Sequence, residues 1–208
     1  MAHIGDGKVE KEFNCLKDRP NIFIIGDSIR LGYCETVKKE LENAAEVFYP
    51  DENCRSTQFV ISSLNRWSNK LSDKSLINLV QFNCGHWDVA HWLGYEQPLT
   101  SIDEYEKNIK MIIALLRKIF VNAKIIFATT TTMNPNGSIG LNPRSNSEID
   151  RYNQVAVKVA TEQGVLINDL NKITRDWGSE CYADYCHFTK EAFQTLGKEV
   201  ARYLKEFL

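Results

Sequence analysis

The chain has 208 residues, with 25 lysines and arginines against 27 aspartates and glutamates, for a formal net charge of −2. With no basic cluster, this near-neutral balance gives no electrostatic reason to expect nucleic acid or an anionic membrane as partner. At 43% hydrophobic residues, the length suits one domain with a sizeable buried core.

No stretch approaches the roughly 20 apolar residues needed to span a bilayer. Residues 1–13 are polar and charged and lack the apolar centre of a signal peptide. The chain therefore reads as cytoplasmic as given, the alternative being a longer precursor with an export signal. The six cysteines are too sparse for a disulfide scaffold and are expected to be free thiols. No Cys-x-x-Cys pair occurs, and His86 and His91 miss the i, i+4 spacing of a helical ligand pair, so no metal is expected.

Apolar runs alternate with amphipathic segments along the chain. Residues 1–20 read as an N-terminal extension, packed on the domain or partly disordered, and 21–208 as a single catalytic domain. Strands are predicted over 22–25, 46–49, 76–82, 124–129 and 165–167. Helices are predicted over 35–42, 59–71, 101–120 and 149–163. The third has Ile102, Tyr105, Ile109, Ile112, Ile113 and Leu116 on one face and two acids in its first turn. Gly164 ends the fourth. Thr189 is the expected N-cap of a last helix with a stripe of Leu196, Val200, Tyr203, Leu204 and Phe207. Between 133 and 146 lies a segment rich in Asn, Pro, Gly and Ser, and a loop that long in a compact domain is more often functional than idle. The alternation predicts an α/β fold: a three-layer α/β/α sandwich on a parallel sheet of about five strands.

The first apolar run ends in Gly26-Asp27-Ser28-Ile29, a strand entering a sharp turn that can hold a serine hydroxyl at the mouth of the sheet. Near the C-terminus, Asp184-Tyr185-Cys186-His187 supplies an imidazole and a carboxylate. A serine needs an adjacent base, a group that orients the base, and donors for the developing oxyanion. Ser28 is the candidate nucleophile, His187 the base and Asp184 its orienting partner, all converging at the carboxyl edge of the sheet where open α/β folds place ligands. Asp27 and Asp88 are expected to brace their own loops. No Gly-x-Gly-x-x-Gly or P-loop sequence follows the first strand, and no cofactor is expected.

At these residues the chain resembles the SGNH, or GDSL-like, hydrolases, a family of esterases and lipases with a flavodoxin-like sandwich. The family's first block matches as Gly26-Asp27-Ser28 and its last as Asp184-Tyr185-Cys186-His187. The resemblance implies a Ser28, Asp184, His187 triad, with the Ser28 N–H donating to the oxyanion. The second block is matched by Asn53-Cys54-Arg55, which puts Cys54 where the family has an oxyanion-hole glycine and where positive φ is costly. The third reads Gly85-His86-Trp87-Asp88, with Trp87 at the asparagine position and Asn83 as an alternative amide donor.

His86, Trp87, His91 and Trp92 are expected to overhang the pocket. Arg55 and Arg144 stand on its loops, either to pair with a substrate anion or to remain solvated. The leading expectation is a serine esterase acting on a small O-acyl ester, acetyl first, of a carbohydrate or small molecule. A lysophospholipase or thioesterase is one alternative, and a weakly catalytic carbohydrate-binding protein the other. Oligomeric state is left open.

Overall fold

The computed structural model describes residues 12–137 and 140–208. Most of the predicted N-terminal extension, residues 1–11, lies outside the described residues. The described remainder packs on the domain: Phe13 bridges to Leu71, its ring lies 5.6 Å from that of Phe48, and the Cys15 N–H donates to the Ser72 hydroxyl.

Five parallel strands form one sheet in the order β2-β1-β3-β4-β5. They are β1 (Asn21–Ile25), β2 (Glu46–Phe48), β3 (Ile77–Phe82), β4 (Lys124–Ala128) and β5 (Leu166–Asn168). The helices are α1 (Ser28–Glu40), α2 (Thr57–Ser68), α3 (Ile102–Ile119), α4 (Asn146–Glu162), α5 (Leu170–Thr174) and α6 (Lys190–Lys205). Successive strand residues point to opposite faces, so each strand feeds two cores. Phe23, Ile25, Val80, Phe82 and Phe127 lie in the core with α2, α3 and α4, while Ile22, Ile24, Leu79 and Ile126 lie in the core with α1 and α6. Because both faces are covered, β1 is apolar and buried at nearly every position rather than alternating.

The first helix was expected over 35–42 and begins seven residues earlier. Its inner face carries Arg30 and Cys34 beside Ile29, Tyr33 and Val37, which blurs the apolar period. It crosses α6 closely: a Cβ on Gly32 would lie 2.3 Å from the Phe193 ring, and one on Gly197 would lie 2.6 Å from Thr36 Cβ. The fourth helix also starts earlier than expected, at a capping box in which Ser145 and Glu148 exchange side-chain and backbone bonds. Helix α5 is too short to show a period. Thr189 caps α6 by accepting from the Ala192 N–H. All six cysteines are free, and no helix among the described residues is long and apolar enough to cross a membrane.

Candidate active site

The parallel register brings the carboxyl ends of β1, β3 and β4 to one edge, and the loops leaving them build the site. At the end of β1, Asp27 caps α1 by accepting from the Ile29 N–H at 3.0 Å, which leaves Ser28 as the first helical residue. Among the described residues the Ser28 N–H has no acceptor, and it sits at the positive end of the helix dipole. Gly26 is required by close approach: a Cβ there would lie 1.9 Å from Asn83 Oδ1 and 2.7 Å from Arg30 Cβ.

The second part of the site is the turn from Tyr182 to Phe188, closed by an antiparallel bridge between those two residues. Behind it, the Phe188 ring is held by Tyr182, Trp177 and Phe193, with centroids 4.9–5.4 Å away. Asp184 Oδ1 accepts from the N–H groups of Cys186 (2.8 Å) and His187 (2.7 Å), while Oδ2 lies 2.7 Å from His187 Nδ1. Burial raises the Asp184 pKa, but these bonds outweigh it and hold the carboxyl below its ordinary value. An ionised carboxylate only accepts, so Nδ1 carries the ring proton and Nε2 presents its lone pair. That nitrogen lies 2.7 Å from Ser28 Oγ. A continuous hydroxyl–imidazole–carboxylate chain therefore joins two segments far apart in sequence.

Solved structures with this architecture include a lipase/acylhydrolase from Enterococcus faecalis, at TM-score 0.70 and 20% identity over 90% of this chain and 96% of that one. The acetyl xylan esterase AlAXEase superposes at TM-score 0.70 and 18% identity, covering 88% and 99%. A catalytic mutant of the acetylxylan esterase Axe2 from Geobacillus stearothermophilus does so at 0.68 and 18%, covering 88% and 93%. The chain shares the fold of these hydrolases. A GDSL esterase/lipase of Arabidopsis thaliana is 26% identical over 117 residues, 50% of this chain and 48% of that protein. The match thus spans about half the length of the curated relative. No protein-family model matches the chain.

Around Ser28 and His187, the fold opens a cavity of about 270 Å³. His86, Trp87, Trp92 and Arg144 line it, together with Asn53 and Asn142, which the sequence reading did not select as contacts. Trp87 and Trp92 pack with centroids 5.0 Å apart. His86 is buried, with Nε2 3.0 Å from the Thr131 hydroxyl and Nδ1 unpartnered, and burial pushes its pKa well down, so it is neutral. His91 instead braces the rim, with Nε2 on Glu148 at 2.8 Å and Nδ1 on the Tyr95 carbonyl at 2.9 Å.

Three expected contacts need correction. The Cys54 N–H donates to the Gly26 carbonyl at 3.1 Å, so it is occupied rather than free for an oxyanion. The positive φ anticipated at Cys54 falls on Arg55, at 54°. Asn83 is buried beneath the turn against Gly26 and does not line the cavity. Its amide lies near Asp27 and favours the ionised carboxylate, although Asp27 Oδ2 has no hydrogen bond of good geometry; burial is the larger effect and raises the Asp27 pKa. Arg55 also stands outside the cavity lining, exposed and stacked over Phe59 (4.7 Å) and Trp87 (5.7 Å). Asp27 braces its own turn, but Asp88 reaches further, accepting from Thr57 on α2 and from the Thr100 hydroxyl.

Two residues were missed. The Asn53 amide oxygen accepts from the Arg55 N–H at 2.9 Å, and its Nδ2 has no partner among the described residues. Asn53 stood in the matched second block, so its amide was a readable signal. Fully buried Arg30 reaches the carbonyls of Gly26, Pro50 and Glu52 and thereby ties the Ser28 turn to the Asn53 loop. A lone arginine in a helix gives no such signal. Among the described residues, Asp184, Cys186 and His187 are the one group of three potential metal ligands, with atoms within 4.8 Å of one another. Two of them already share the short hydrogen bond, and burial pushes the Cys186 thiol up to about 12.

Proposed function

We propose that the chain is a serine carboxylic-ester hydrolase that removes a small acyl group, acetyl first, from a carbohydrate, with residues 21–208 as the catalytic domain. The carrying observation is the Ser28–His187–Asp184 chain, with both hydrogen bonds at 2.7 Å. His187 takes the Ser28 proton as the hydroxyl attacks the ester carbonyl, then returns it to the departing alkoxide. Water then cleaves the acyl-enzyme by the same route in reverse. The Ser28 N–H and the Asn53 amide are the donors we assign to the oxyanion, with the Trp87 indole, which lines the same cavity, as a third. The carbohydrate assignment draws support from the acetyl xylan esterases of like fold and from the paired indoles and asparagine amides lining the cavity.

A panel of acetylated sugars assayed for released acetate tests the substrate, and a fluorophosphonate probe tests the nucleophile. Stoichiometric labelling that disappears in Ser28→Ala is expected. Absence of labelling in the parent would favour an inert carbohydrate-binding protein. One observation favours a second reading, a lysophospholipase or thioesterase: Leu93, Tyr95 and Leu99 are exposed on the loop that continues from Trp92. A p-nitrophenyl ester series whose preference rises beyond eight carbons would select it.

A further inference from the structure

The loop between β4 and α4 is drawn together at its neck by Asn146, whose amide accepts from the Met133 N–H at 2.7 Å and donates to the Met133 carbonyl at 3.3 Å. From there the loop grips the turn that carries His187. The Asn134 N–H donates to the Tyr185 carbonyl at 3.0 Å, and Asn134 Nδ2 donates to the Asp184 carbonyl at 3.2 Å. A Cβ on Gly140 would lie 2.8 Å from the Tyr185 ring, and one on Gly137 would lie 3.2 Å from Tyr185 Cα. The loop thus approaches Tyr185 more closely than larger residues at positions 137 and 140 would allow.

Arg144 spans the remaining distance. One terminal nitrogen donates to the His86 carbonyl, and the other to the Tyr185 hydroxyl at 3.2 Å and to Cys186 Sγ at 3.9 Å. The guanidinium lies over the Tyr185 ring, 5.4 Å from its centroid. Among the described residues no carboxylate lies within ion-pair distance of Arg144. Its terminal N–H groups are directed at neutral acceptors on two loops: the one leaving β3 and the one bearing His187. A rigid planar fork suits that span, whereas a lysine places one point charge on a flexible stem.

We propose that Arg144 and Asn134 are positioning residues that hold the Asp184–His187 turn in register with Ser28, acting through His187 rather than on the ester. The proposal rests on the hydrolase reading given above. Positioning on this scale matters because a displacement of about 1 Å at a reacting group can cost about 10²-fold in rate.

The test uses the full chain and reads both turnover and structure. In p-nitrophenyl acetate hydrolysis, Arg144→Ala should lower kcat by about 10–100-fold with KM changed less than about threefold, and Arg144→Lys should recover only part of the loss. The downfield proton resonance of His187 Nδ1 should broaden or move upfield in Arg144→Ala while the melting curve stays cooperative. Asn134→Ala, which removes one side-chain amide, should move both readouts in the same direction and carries the test if Arg144→Ala does not fold. A raised KM with unchanged kcat would overturn the proposal and make Arg144 a substrate ligand. An unchanged resonance with unchanged kcat would also overturn it. If no ester turns over but the resonance still responds, the hydrolase reading fails and the clamp stands.

Discussion

Asparagine in place of Asp184 alters one atom and leaves the turn's backbone bonds a partner. The carboxylate has divided its work, with Oδ1 accepting from two backbone N–H groups and Oδ2 facing His187 Nδ1. The amide of Asp184→Asn has one acceptor. With that oxygen turned toward the ring, the NH₂ would oppose the two backbone donors at 2.7–2.8 Å, so the oxygen stays with the backbone and the NH₂ faces Nδ1. The imidazole then accepts at Nδ1 and carries its proton on Nε2, aimed at Ser28 Oγ 2.7 Å away. A base in that tautomer cannot take the serine proton. The expected loss in kcat is about 10⁴-fold, the scale of a wrong-tautomer triad. That corresponds to about 5.5 kcal/mol of transition-state stabilisation at about 1.4 kcal/mol per decade. Steady-state hydrolysis of p-nitrophenyl acetate, with a thermal melt to confirm the fold, measures it. Activity within tenfold of the parent would refute the tautomer argument and remove Asp184 from the mechanism.

Asn53→Ala should lower kcat by about 10²–10³-fold with little change in KM if its amide serves the oxyanion; the same assay at saturating substrate decides. Gly26→Ala should lower the melting temperature, because its Cβ would meet Asn83 Oδ1 at 1.9 Å and Arg30 Cβ at 2.7 Å. Overpacking of this kind costs about 1–3 kcal/mol, and a variant that melts with the parent would show that the turn can shift. Burial pushes the Asp88 carboxyl up to about 6, against the pull of bonds from Thr57 and Thr100. The folded protein therefore holds a proton there that the unfolded chain has already lost, so this group's contribution to stability falls as pH rises from about 4 to 6 and is level above. Urea midpoints across that range should decline less steeply in Asp88→Asn; equal slopes would reject the assignment.

The strands, the amphipathic α3 and the cap at Thr189 were legible because each depends on a local pattern: burial on one or both faces, a 3.6-residue period, or a side-chain oxygen at the right offset. The serine and the Asp-x-x-His fragment were legible as chemistry for the same reason, each carrying its own turn. The start of α1 was obscured by Arg30, a charged residue on a buried face that bonds three carbonyls, two of them, of Pro50 and Glu52, beyond β2.

What the chain determined by itself was the alternation of elements and the residue types able to do acyl transfer. Tertiary structure decided which donors remain free: Cys54 spends its N–H on Gly26, Asn83 is buried beneath the turn, and Asn53 keeps an amide at the cavity. It also gave the 133–146 loop its contacts with the His187 turn. Hydrogen-bond donors are claimed by whichever acceptor packing brings within about 3 Å, and that competition is settled between segments distant in sequence, where no local pattern records it.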